Sequence, residues 1–184
     1  EDRKPSDVMT KGSFLNAIVA LAGIGGSTNA VVHLLAIAGR LGIDLSLKDF
    51  DKTGSHVPLL VNLQPAGKYL MEDLYRAGGL LAVLKELEDL LDPKAITVTG
   101  KPLTSYLSEA EIYDTDVIRK RQTPLLEGAG IAVLTGNLAP LGAVIKPAAA
   151  SPHLLQHRGK AIVFDSIEDF KKRIDDPALD VDEN

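Results

Sequence analysis

Residues 23–34 read Gly23-Ile24-Gly25-Gly26-Ser27-Thr28-Asn29-Ala30-Val31-Val32-His33-Leu34, GIGGSTNAVVHL. Glycines close one apolar segment, two hydroxyls and an amide follow, and a second apolar segment begins. The stretch therefore reads as a junction between two helices. Before it, Ser13 to Ala22 is apolar on nearly every face, which fits a helix buried between layers better than one laid on a surface. After it, Val31, Leu34, Leu35, Ala38 and Leu41 recur at helical spacing from about Asn29 to Leu41, and Gly42 is a suitable stop. The loop itself has two physical readings. Unpaired N–H groups and the dipole at a helix start favour a carboxylate or phosphate, with Ser27, Thr28 and Asn29 adding hydrogen bonds. Equally, Ser27 or Thr28 caps the helix and the glycines permit close packing. The pattern is not a dinucleotide fingerprint, because Thr28 stands where G-x-G-x-x-G needs its third glycine, and no Lys follows the last glycine as a P-loop requires.

Working outward, Lys4-Pro5-Ser6-Asp7 is a helix-start signal and Ser46-Leu47-Lys48-Asp49-Phe50 reads as a capped short helix. Val57 to Leu63 has the length of a buried strand. Tyr69 to Arg76 leads to a Gly78-Gly79 break, and about Leu80 to Leu91 reads as a helix with Leu80, Val83, Leu84, Leu87 and Leu91 on one side. Asp92-Pro93 ends it. Helix and strand alternate here, the pattern of an α/β layer. Beyond about Tyr113 the character changes. Val117-Ile118, Ile131–Leu134, Ala143–Ile145 and Ala161–Phe164 are short strands with Gly and Pro punctuation, and Ser166 caps a helix to about Ile174. That is the pattern of a β-rich unit. A boundary between about 108 and 117 divides the chain into 1–112 and 113–184.

Composition excludes several functions. A net charge of -5 among 184 residues, with basic clusters no longer than Arg119-Lys120-Arg121, argues against nucleic acid as the main partner. No apolar run reaches the roughly 20 residues that cross a bilayer, and EDRKPSD lacks the apolar core of a signal peptide. With no cysteine, the chain has neither disulfides nor thiolate metal sites of its own. Aromatics are 4% with no Trp, so the core must be Leu, Ile, Val and Ala. Both ends, EDRKPSD and DVDEN, read as cuts in a larger protein.

Other candidate sites are thin. His153 and His157 are four apart, but Leu154 stands where a zinc-protease pattern needs Glu and no third ligand is near. His33, among Val32, Leu34 and Leu35, reads as a core histidine. Glu72-Asp73 and Glu86, Glu88 and Asp89 read as solvated helix faces, so no carboxylate pair spans a cleft. No serine occupies a G-x-S-x-G elbow.

Four motifs occur in order: GGSTNAVVHLLAIAGRLGIDLSLKDFD, VPLLVNLQPAGKYLMEDLYRAGGLLAVLKEL, ITVTGKPL and GIAVLTGNLAPLGAVIKP. Together they resemble the dihydroxy-acid dehydratase and phosphogluconate dehydratase family. IKPAAASPHLLQHRGKAIVFDSIEDFKKRIDDPALDVDEN resembles its sugar-acid branch, the arabinonate and xylonate dehydratases. The resemblance implies a hydro-lyase that turns a 2,3-dihydroxy carboxylate into a 2-keto acid. It also implies an iron–sulfur cluster acting as Lewis acid on the departing hydroxyl, and Mg²⁺ holding the substrate. The family's cluster ligands are cysteines, absent here. Its magnesium ligands and modified lysine correspond to sequence before Glu1, and a further acidic ligand and the catalytic serine to sequence beyond Asn184.

The chain is thus expected to be the end of an α/β/α cofactor domain followed by the start of a β-rich, swivelling β-barrel-like domain. It binds neither cofactor itself, belongs to a cytoplasmic homodimer or homotetramer, and acts on a small molecule. In such a family Ser27, Thr28 and Asn29 are placed to line the substrate site, with no catalytic or metal residue assigned, and GNLAPLGAVIKP reads as scaffold. Two other readings stand beside this one: a non-catalytic assembly module, and a phosphate binder using GIGGSTN.

Overall fold

The computed structural model describes residues 2–128 and 130–181, so Asp182–Asn184 of the acidic end lie outside the described residues. Residues 1–149 and 150–184 form two compact units.

The larger unit is built around α2 (Lys11–Ile24), preceded by the short α1 (Pro5–Val8). Thr10 starts α2 by accepting the Ser13 N–H at 3.3 Å, a side-chain cap on one of the donors that a helix start leaves unpaired. No residue of α2 is exposed. Its apolarity has a direct cause, since the helix serves two cores. Val19 and Ala22 pack with Val57, Leu60, Val83, Leu87, Leu107 and Ile118. Ile18 belongs to a second cluster with Val31, Phe50 and Ile131. Among the described residues the one buried polar side chain, Asn16, is paired twice with the Asp92 main chain, donating to its carbonyl at 3.1 Å and accepting its N–H at 2.6 Å.

Helix α3 (Asn29–Arg40) buries Val31 and Ala38 and half-buries Leu34 and Leu35. Helix α4 (Leu47–Gly54) starts at Ser46, whose N–H donates to the Asp49 carboxylate at 2.8 Å. Helices α5 (Met71–Arg76) and α6 (Gly79–Glu86) follow. The helix expected to run to Leu91 is interrupted at Leu87, and a 3₁₀ turn, Glu88–Leu90, continues it. Leu80, expected on the apolar side, is exposed, while Ala82, Val83 and Leu84 are buried. Val83 and Leu87 pack against Gly23 of α2, while Leu80 lies exposed in the first turn of α6, beyond that contact.

The described residues are mostly helical, with one two-stranded sheet. Its strands, β1 (Ala132–Leu134) and β2 (Ala143–Ile145), run antiparallel with Val133 opposite Val144. Both fall within expected strands. The other expected strands take a different form. Val57 to Val61 is buried, but its pairing is split. Leu59 bridges Leu126, Val61 bridges Ile118, and the Leu60 N–H goes to the Gly23 carbonyl at 2.9 Å. Pro58 has no N–H to give, and neighbours that change every residue or two cannot build a ladder. Val117-Ile118 is one side of that single bridge.

In the smaller unit, Ala161–Phe164, expected as a strand, forms no strand or ladder among the described residues. Helix α7 (Ile167–Arg173) starts where expected, with the Ser166 hydroxyl accepting the Asp169 N–H at 3.1 Å. Phe164 meets Phe170 edge-on, ring centroids 5.2 Å apart, and the Arg173 guanidinium lies over the Phe164 ring.

Candidate functional site

The junction between α2 and α3 divides into two chemically different halves. In the first, Gly25 adopts φ +64°, a left-handed conformation that costs a residue with a Cβ about 1–2 kcal/mol. Its N–H bonds the Ala22 carbonyl at 3.0 Å and the Gly26 N–H reaches back to Leu21 at 2.9 Å, the paired closure of a Schellman motif. A Cβ on Gly25 would stand 2.6 Å from Leu59 Cδ1. The Lys146 ammonium, from the residue after β2, donates to the Gly25 carbonyl. Burial pushes the Lys146 pKa below its ordinary 10.5.

In the second half, Ser27 and Asn29 are exposed and Thr28 is half-buried. Ser27 Oγ accepts the Asn29 N–H at 3.2 Å, the Ser27 carbonyl accepts the Ala30 N–H at 3.0 Å, and the Thr28 carbonyl accepts the Val31 N–H at 3.1 Å. The first-turn amides of α3 therefore already have acceptors inside the turn. Thr28 stands at the N-cap without a side-chain cap bond. Among the described residues, nothing takes the Thr28 hydroxyl or the Asn29 carboxamide. What this corner offers a ligand is side-chain donors and acceptors beside the positive end of a 12-residue helix.

The remaining candidates do not converge on it. His33 is exposed rather than in the core, because α3 packs through Val31 and Ala38, and position 33 faces away from both. His153 lies in a 3₁₀ turn, Pro152–Leu154, with His157 beyond it, so they share no α-helical face, and both are exposed. Glu86 and Asp89 do more than face solvent. Glu86 accepts the Arg121 N–H at 2.8 Å and Asp89 pairs with the Arg121 guanidinium, which ties the basic cluster to α6. In the smaller unit an open cavity of 270 Å³ is lined by Ile162, Phe164, Ile174, Leu179 and Val181, together with the Lys160–Asp180 ion pair.

Lys146 is the residue that the sequence alone does not single out. It lies inside GAVIKP, which reads as scaffold, and its one visible signal is a lone charge between an apolar strand and Pro147.

Comparison with known proteins fixes the class. The chain belongs to the dihydroxy-acid/6-phosphogluconate dehydratase family: residues 1–106 match its N-terminal part and residues 116–184 its C-terminal part. An L-arabinonate dehydratase of Rhizobium leguminosarum bv. trifolii is 55% identical over 186 residues, which take in 100% of this chain and 32% of that protein. An L-arabonate dehydratase of Azospirillum brasilense is 52% identical over 96% of this chain and 31% of its own length. A dihydroxy-acid dehydratase of Caldanaerobacter subterraneus is 47% identical over 90% of this chain and 30% of its own. The chain thus spans about a third of the length of these relatives.

The cluster and Mg²⁺ implied by the family do not fit the residues present. There is no cysteine, and among the described residues no three His, Asp or Glu side chains gather as a metal site. Among the described residues no helix is long and apolar enough to cross a membrane.

Proposed function

We propose that this chain is the central part of a hydro-lyase that dehydrates a sugar acid, an aldonate such as L-arabinonate, to its 2-keto acid. The supporting observation is likeness running through the entire chain to a protein named for L-arabinonate, above the identity to a dihydroxy-acid dehydratase. In such a reaction the C2–H and C3–O bonds break, water leaves, and the resulting enol becomes the ketone. Residues 1–112 are read as the end of an α/β/α cofactor domain and 113–184 as the start of a β-rich domain, a division supported by the two family matches. The complete enzyme carries its iron–sulfur cluster and Mg²⁺ on residues outside this chain, and works in the cytoplasm as a homodimer or homotetramer, as the family resemblance implies.

Within this chain, Ser27, Thr28 and Asn29 bind and orient the substrate. Ser27 and Asn29 are exposed, the Thr28 hydroxyl and Asn29 carboxamide meet no partner among the described residues, and the α3 dipole favours a carboxylate nearby. The Thr28 hydroxyl, which makes no cap bond, donates to the substrate's carboxylate or an adjacent hydroxyl. Thr28→Ala in the complete protein is expected to raise KM for L-arabinonate about tenfold, the size of one hydrogen bond to a charged group. The thermal midpoint should hardly move. A kinetically silent Thr28→Ala would remove the substrate role from this corner.

A further inference from the structure

We infer that Lys146 is a positioning residue for the substrate-facing corner: it grips the Gly25–Gly26 peptide and thereby sets where Ser27, Thr28 and Asn29 stand. A peptide unit is planar, so the Gly25 carbonyl and the Gly26 N–H belong to one rigid body. Here both ends of that body are held. The N–H is bonded to the Leu21 carbonyl at 2.9 Å, within the helix that is ending. The carbonyl accepts from the Lys146 ammonium, 121 residues further along the chain. Gly25 is where the chain leaves α2, at φ +64°, and Ser27 comes directly after the gripped plane.

The lysine is itself held from behind. It follows β2, which pairs with β1, and the chain just before β1 is seated on α2. Ile131 packs against Ile18, and a Cβ on Gly130 would come within 2.1 Å of the Ala22 carbonyl oxygen. The reach of Lys146 is thus fixed by a strand anchored to the same helix whose end it caps. A cation at a helix C-terminus also meets the negative end of the dipole. The neighbouring Gly23 carbonyl is taken by the Leu60 N–H, so the last turn of α2 is clamped by two distant segments. The α3 side of the corner has no comparable clamp among its described side chains.

The kinetic part of this inference rests on the proposed substrate role of Ser27, Thr28 and Asn29, and the structural part does not. The test uses Lys146→Met and Lys146→Arg in the complete protein, read by amide hydrogen exchange and by steady-state dehydration of L-arabinonate. Lys146→Met should speed exchange of the Gly26 amide about tenfold or more while protection in α6 holds, the signature of a local opening. It should also raise KM about tenfold with kcat within about twofold, and Lys146→Arg should recover most of both. Unchanged exchange at Gly26 would overturn the inference, and so would an equal loss of protection throughout the unit. If Thr28→Ala raises KM while Lys146→Met leaves it alone, the substrate reading survives and the positioning role falls. If the wild-type protein dehydrates no sugar acid, the substrate reading falls, and the exchange measurement still decides whether Lys146 holds the corner.

Discussion

Gly25-Gly26 and Ser27-Thr28-Asn29 are neighbours with opposite circumstances. Gly25 is buried, its N–H and carbonyl are both engaged, and there is no room for a Cβ. Ser27 and Asn29 are exposed, and the side chains of Thr28 and Asn29 meet no partner among the described residues. Within five residues the chain separates a geometric obligation from free chemistry. The glycines end one helix, and the polar trio starts the next with groups to spare. The largest effect should therefore come from the first half. Gly25→Ala forces a Cβ into the left-handed region and against Leu59, with an expected loss of about 2 kcal/mol. Urea unfolding of the complete protein checks it. A loss below about 0.5 kcal/mol would show that the glycine half is not obligatory and would erase the contrast.

The two ends of α2 sharpen the same comparison. At its start Lys11 pairs with Asp49 at 2.8 Å. Burial works to raise the Asp49 pKa, but hydrogen bonds from Lys11 and from the Ser46 N–H and hydroxyl, with the Lys11 charge, together hold it below the ordinary 3.8. The native state then binds fewer protons than the unfolded chain near and below pH 3.8. The stabilisation from ionised Asp49 is full above that value and disappears as the pH falls through the lowered native value. Because the pair is partly solvated, its worth is about 0.5 kcal/mol. Wild type should exceed Asp49→Asn by that amount at pH 6 and converge with it in strong acid, measured by denaturant unfolding at each pH. Exchange at Gly26 should ignore the substitution, because the loop is held from the other end of the helix.

Local signals are readable in the sequence wherever a few adjacent residues decide the structure. The caps at Ser46 and Ser166 and the strands within Ile131–Leu134 and Ala143–Ile145 are of this kind. So is the all-round burial of α2, because a helix with no polar face has nowhere else to go. What the sequence does not disclose depends on distant neighbours. Val57–Leu63 has the composition of a strand, but the chain segments that meet it change every residue or two. His33 has apolar sequence neighbours but faces outward, because helix rotation is set by what packs across from it, and Leu80 is exposed in the first turn of α6 although Val83 on the same face is buried. Lys146 is invisible as a partner of Gly25, since nothing in GAVIKP points to a carbonyl 121 residues earlier.

The smallest effects on stability belong to the polar trio, and they divide it: Ser27→Ala should cost more than Thr28→Ala. The Ser27 hydroxyl closes a local turn onto the Asn29 N–H at 3.2 Å on an exposed surface. Water can replace it at the amide, so the expected loss is about 0.5 kcal/mol, the low end for a helix-start serine. Thr28→Ala, which removes no cap bond, should cost less in stability despite lying deeper. Urea midpoints of the two variants, measured side by side, test this order. If Ser27→Ala instead costs about 2 kcal/mol, the trio carries structural weight comparable to Gly25. The junction would then be one continuous scaffold, with its two halves alike in purpose.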